Sequence, residues 1–161
     1  MAVSIRPYAE KDLASILNIS KRTWTPVFDK MKPAVDGFVY DNFYPDGWWS
    51  RQESEIAELL LDAETQVFIA ETEEAMLGFI GTRLHPEDKM GEVYILAVDP
   101  GAQRQGVASA LMEHGFEVIR RAGMNMVMVE TGGDPGHAPS RAVYESVGFR
   151  RWPVARYFKE L

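Results

Sequence analysis

Cysteine is absent from the 161-residue chain, which excludes a disulfide framework, a thiolate metal site and a cysteine nucleophile. Histidine is scarce: the three are His85, His114 and His137. No pair has the H-x-x-x-H spacing and no Asp/Glu cluster has ligand spacing, so no metal site is expected. Long apolar runs are missing too. Stretches such as residues 93–98 fall far short of the ~20 residues a membrane span needs. The opening MAVSIRPYAEKDL has no apolar stretch behind a basic segment, so no signal peptide is expected. Positive charge is in deficit, with 17 Lys+Arg against 24 Asp+Glu and a net charge of −7. That argues against nucleic acid, which is held largely by Lys and Arg on phosphates. The length predicts a single domain over residues 1–161, and the absences predict a cytoplasmic protein with no membrane or nucleic-acid partner.

What is present reads as alternating elements. A strand over residues 3–7 precedes a helix carrying Leu13, Ile16, Leu17 and Ser20 at helical spacing. Residues 24–50 mix many aromatics with Pro26, Pro33, Gly37, Pro45 and Gly47, which predicts loop or short broken helix. A helix over 49–62 follows. Residues 66–71 and 76–84 read as a hairpin around the polar turn 72–74, and 91–98 as a third strand ended by Asp99-Pro100-Gly101. A long amphipathic helix is predicted over 103–122, a strand apolar on both faces over 124–130, a short helix over 140–147 and a last strand over 156–159. The fold class is mixed α/β (α+β), with a strand-helix-strand unit in its second half.

The turn after Val98 carries the chemistry. A strand runs into a tight turn that opens directly into a helix, Val98-Asp99-Pro100-Gly101-Ala102-Gln103-Arg104-Gln105-Gly106-Val107-Ala108. The first N–H groups of a helix lack internal partners and favour an anion. Gly106 and Ala108 let a phosphate approach those amides, and Arg104 adds positive charge at the rim. The stretch is neither a P-loop, since no Gly-Lys-Ser/Thr follows, nor a Gly-x-Gly-x-x-Gly fingerprint.

Gln103-x-x-Gly106-x-Ala108 resembles the acetyl-CoA motif Q/R-x-x-G-x-G/A of the GNAT acetyltransferase superfamily. Residues 138–149, with Ala142, Tyr144, Gly148 and Phe149, resemble that family's second landmark, although His137 stands where many members have Asn. The resemblance implies a mostly antiparallel sheet of six to seven strands with helices on both faces. It implies acetyl-CoA as cosubstrate, its pyrophosphate on the amides of Gln103, Arg104, Gln105, Gly106, Val107, Ala108 and Ser109. Its pantetheine arm would pair with backbone at Leu96, Ala97 and Val98, where the strands over 92–98 and 124–130 splay. His137 and Arg141 would stand beside it.

Acetyl transfer to an amine needs a base for the ammonium proton, donors for the oxyanion and an acid for the departing thiolate. The resemblance makes Tyr144 the acid and the N–H of Val98 an oxyanion donor. Glu92 is the expected base, alternating onto one face with Tyr94, Leu96 and Val98; Glu130 is second choice, and His137 is a third group that could orient water or act as base. His85, at the border of the turn at Pro86, and His114, on the amphipathic helix, are assigned no role. With no cysteine and no nucleophile elbow, direct transfer in a ternary complex is the simpler route. Trp24, Phe28 and Tyr40 are expected to wall an acceptor pocket, where aromatic faces attract cations. The acceptor class is a small-molecule or peptide amine. A homodimer is compatible with the C-terminal residues, and a non-catalytic acyl-CoA-binding module is the alternative reading.

Overall fold

The computed structural model describes residues 2–161. In chain order the elements are β1 (Ser4–Pro7), α1 (Leu13–Met31), α2 (Gly37–Phe43), α3 (Trp48–Leu61), β2 (Gln66–Glu71), β3 (Met76–His85), β4 (Met90–Val98), α4 (Val107–Arg121), β5 (Met126–Val129) and α5 (Ala138–Ser146). They form two compact units. One holds the residues up to Thr23 and those from Glu53 to Glu130; the other holds Trp24–Gln52 and Thr131–Leu161.

The first unit is built on one sheet in the order β1-β2-β3-β4-β5. Neighbours are antiparallel from β1 to β4, and β5 runs parallel to β4. The expected hairpin is there, with the N–H of Thr72 donating to Ala75 O at 2.9 Å. The parallel pair requires a crossover, which α4 supplies. Five strands replace the six to seven expected. Residues 156–159, read as a last strand, are irregular, as is all of 149–161. Trp152, Val154 and Tyr157 stay largely exposed, so no burial stabilises an extended ladder there. The strand expected over 124–130 shortens to Met126–Val129 and lies at the sheet edge, with Met126 exposed.

α4 covers one face. Val107, Leu111, Met112, Gly115 and Ile119 are its buried positions. A Cβ at Gly115 would sit 3.0 Å from Ile80 Cδ1 and 3.3 Å from Thr82 Cγ2, so the missing side chain lets the helix approach the sheet. Residues directly opposite across a ladder share a face. Val93 and Leu96, opposite Thr82 and Ile80, therefore join this α4 side. Burying a large apolar side chain here contributes about 1.5–3 kcal/mol. The opposite face carries Ile69, Phe79 and Ala97, also buried. Ile16 and Ile19 of α1 and Ile56 and Leu59 of α3 are buried in this unit as well.

Residues 24–50 are more helical than expected. α1 continues through Pro26 to Met31, although proline removes a helix hydrogen bond and crowds the preceding turn. Buried anchors on both sides of Pro26 explain the tolerance: Ile16, Ile19 and Ser20 before it, Phe28 after it. In the second unit Phe28 stacks on Trp48 at 4.4 Å between centroids and meets Tyr44 edge-on at 5.3 Å. Tyr40 joins Tyr44 at 4.9 Å. No described helix is long and apolar enough to cross a membrane.

Candidate active site

Pairing of β4 with β5 begins at Met90 and Met126 and stops at Val93 and Val129. β4 continues along β3 to Val98, so the two parallel strands part beyond Val93. The N–H of Asp99 donates to Leu77 O at 2.7 Å, and this bond sets the phase of the ladder. Ile95 and Ala97 turn their backbone polar groups toward β3, while Leu96 and Val98 turn theirs toward the edge β5 has left. The carbonyl of Val98 accepts from Thr23 Oγ1 and Gln103 Nε2, both at 3.1 Å. The N–H groups of Leu96 and Val98 and the carbonyl of Leu96 have no strand beside them. Ala97, expected with these two, serves the β3 ladder opposite Phe79 instead.

The turn that follows is held from within. Asp99 accepts from the N–H of Gly101 at 2.8 Å and pairs with Arg22. Gln103 to Gly106 form a turn rather than the start of the helix, which begins at Val107. Arg104 and Gly106 both take the left-handed conformation, φ 63° and 83°. That conformation ends the turn and aims the chain into α4. The first helical bond runs from the N–H of Ala110 to Gly106 O at 3.0 Å, so the N–H groups of Val107, Ala108 and Ser109 have no carbonyl one turn back. A Cβ at Gly106 would meet nothing within 4 Å, and residues 103–106 are exposed. Among the described residues the Arg104 guanidinium has no ion-pair partner. The result is a row of outward N–H groups with an unpaired cation beside it, which suits a phosphate.

Glu92 lies opposite Arg83, but not on the face expected. The register runs from Thr82–Val93 to Gly81–Ile95, leaving Tyr94 as the extra residue of a β-bulge. The bulge shifts the alternation by one. Glu92 and Tyr94 share the Arg83 face, with the guanidinium carbon 3.5 Å from the Tyr94 ring centre, whereas Leu96 falls on the α4 face with its partner Ile80 and Val98 shares that phase. The Glu92 side chain is only 14% exposed, its Oε1 lies 3.6 Å from His85 Nε2, and its Oε2 is buried without a hydrogen-bond partner. Sequence reading passed over His85 as a turn neighbour. Its signal was the hairpin register: Arg83 and His85 alternate onto the face that Glu92 occupies. Glu130 follows β5 and is exposed.

The other expected residues lie in the second unit. α5 carries Tyr144, whose ring meets Phe149 edge-on at 5.8 Å. Among the described residues its hydroxyl makes no hydrogen bond, and burial pushes the phenol pKa up. His137 Nδ1 lies 2.6 Å from Asp134 Oδ1. Arg141 donates to the carbonyls of Gly132 at 2.6 Å and Asp134 at 2.7 Å. Both residues, expected beside the cosubstrate, hold the loop leading into α5. Trp24 is partly exposed. Phe28 and Tyr40, expected on a pocket wall, are 6% and 8% exposed and form the aromatic core of this unit, because stacking there removes their faces from solvent.

Residues 15–149 match the model of the acetyltransferase (GNAT) family. A mycothiol acetyltransferase of Thermomonospora curvata is 31% identical over 155 residues, 92% of this chain and 51% of that protein. A second, from Saccharomonospora viridis, is 38% identical over 90 residues, 51% of this chain and 29% of that protein. The chain spans about half the length, or less, of the curated relatives it matches. The ribosomal-protein-S18-alanine N-acetyltransferase from Escherichia coli shares the fold at a TM-score of 0.68 and 22% identity, over 94% of this chain and 80% of that one. The PaiA N-acetyltransferase from Thermoplasma acidophilum, in complex with coenzyme A, does so at 0.68 and 13%, over 93% and 91%. The splayed strand pair, the motif turn and a family match over residues 15–149 agree: the chain belongs to the acetyltransferase (GNAT) family.

Proposed function

We propose that this protein transfers an acetyl group from acetyl-CoA directly to a primary amine of a small molecule or peptide, in a ternary complex. The observation that carries the reading is the open edge of β4, where Leu96 and Val98 present unpaired backbone groups just before the turn whose amides suit a phosphate. Leu96 and Val98 would pair with the amide-bearing arm of the cosubstrate, and the N–H groups of Val107, Ala108 and Ser109 would hold its pyrophosphate. The N–H of Val98 would also receive the developing oxyanion. Glu92 takes the amine proton; its buried Oε2 has acceptor capacity to spare. Tyr144 returns a proton to the departing thiolate, and its unengaged hydroxyl and raised pKa keep that proton available at neutral pH. Absence of cysteine favours direct transfer over an acetyl-cysteine intermediate.

The relatives' name makes mycothiol-type acceptors the first amines to try, beside spermidine, glucosamine, lysine and short peptides. The test is a calorimetric and thermal-shift titration with acetyl-CoA, then thiol release across that panel. Ligand at about 100 times its Kd should add roughly 2.7 kcal/mol of stability. No heat and no shift at millimolar acetyl-CoA would overturn the reading.

A further inference from the structure

The end of β3 and the start of β4 bring three titratable side chains into a row. Nε2 of His85 lies 3.6 Å from Oε1 of Glu92, and Nδ1 of the same ring lies 3.8 Å from Oε1 of Glu87. The two carboxylates differ sharply in surroundings: the Glu92 side chain is 14% exposed and that of Glu87 is 69% exposed. Among the described residues, His85 Nε2 and Glu92 Oε2 are both buried and without hydrogen-bond partners. Buried polar atoms are seldom left in this state, because each forgoes its bonds to water. Nε2 thus lies 3.6 Å from one oxygen of a carboxylate whose other oxygen is free to take a proton.

Arg83, two residues before His85, lies on this face too. It is already engaged by Thr65 Oγ1 at 2.8 Å, Asp62 at 3.3 Å and the Tyr94 ring. Arg83 is therefore engaged elsewhere although it lies directly opposite Glu92 in the ladder, and no ion pair joins the two among the described residues. Imidazole can accept a proton on one nitrogen while giving up another from the second.

We propose that His85 carries the acceptor's proton from Glu92 to solvent. This rests on the reading above that Glu92 is the base. The attacking amine nitrogen loses a proton to the Glu92 carboxylate as its bond to the acetyl carbon forms. The Glu92 carboxyl passes that proton to His85 Nε2, directly or through one water. Nδ1 then releases its own proton to water beside Glu87. Once product has left, the ring regains its first tautomer by exchange with water. Glu92 ends ionised and ready for the next turnover, with no net change in either side chain.

The experiment compares His85→Gln and Glu92→Gln with the parent, using acetyl-CoA and whichever panel amine supports thiol release. Both variants should lose kcat by roughly 10-fold or more, with Kd for acetyl-CoA unchanged by calorimetry. Added imidazole should restore kcat to His85→Gln in a concentration-dependent way and leave the loss in Glu92→Gln unrestored. Loss in Glu92→Gln with parental kcat in His85→Gln, or a His85→Gln loss that imidazole does not restore, overturns the relay and leaves the base in place. Parental kcat in Glu92→Gln overturns both. If His85→Gln does not fold, a proton inventory of parental kcat in mixed light and heavy water decides. A curved inventory fits two protons in flight, and a linear one overturns the relay.

Discussion

The side-chain amide of Gln103 donates to the carbonyl of Val98 at 3.1 Å, so the residue opening the motif turn is latched to the last residue of β4. Thr23 donates to the same oxygen. The two bonds hold the strand end whose neighbouring N–H groups face the open edge. Gln103→Ala should remove about 0.5–1.5 kcal/mol of stability and weaken acetyl-CoA binding several-fold. Calorimetry beside a melting curve checks this. Unchanged affinity would mean that Thr23 alone sets the strand end.

Tyr144→Phe removes a hydroxyl that makes no hydrogen bond among the described residues and leaves the ring on Phe149. The melting temperature should stay put while kcat falls by about 10²-fold or more. Burial raises the phenol pKa, so the parent should keep its proton donor until pH exceeds the ordinary value of ~10. A rate profile above pH 9 tests that sign. Parental kcat would return Tyr144 to a packing role.

Gly106 has φ 83° and empty space where a side chain would go. Gly106→Ala should therefore cost about 1 kcal/mol through backbone strain alone and retain acetyl-CoA binding. Gly106→Glu adds similar strain and places a carboxylate beside the proposed phosphate site, and should abolish binding. Equal affinities in the two variants, measured by calorimetry, would move the phosphates elsewhere.

Arg6 bridges two carboxylates, donating to both Asp12 oxygens at 2.8 and 2.9 Å and to both Glu71 oxygens at 2.7 and 2.9 Å. The hydrogen bonds from Arg6 hold both carboxyl pKa values below their ordinary range. Depressed folded-state values stabilise the fold at pH above the unfolded values of ~3.9 and ~4.3, and that contribution is lost as pH falls through the folded values. Arg6→Met should destabilise the fold at pH 7, though less than loss of a fully buried pair would, because solvent screens the partly exposed Arg6 and Glu71. The gap from the parent should shrink below pH 4. Denaturant melts at pH 7 and pH 3 make the comparison, and a constant gap would rule out the ion pairs as its source.

The order of elements and the motif turn were legible because each rests on local pattern. Alternation marked β2 and β3, helical spacing marked α4, and Asp99-Pro100-Gly101 marked the end of β4. Misreadings arose where a distant partner decides. Pro26 signalled a break, yet packing on both sides carries α1 through it. Residues 156–159 had strand character but gained no ladder. The extra residue at Tyr94 has no sequence mark, since a bulge is defined against the opposite strand; that one residue moved Leu96 and Val98 off the face of Glu92.

By itself the sequence determined the family, the glycine-bearing turn before α4 and the lack of cysteine, because these depend on residue identity and short spacing. Only the tertiary structure decided that β5 leaves β4 at Val93, that Phe28 and Tyr40 are core, and that His85 stands beside Glu92. Each of those is a relation between residues that the chain brings together only through register and packing, which composition and periodicity along one strand do not encode.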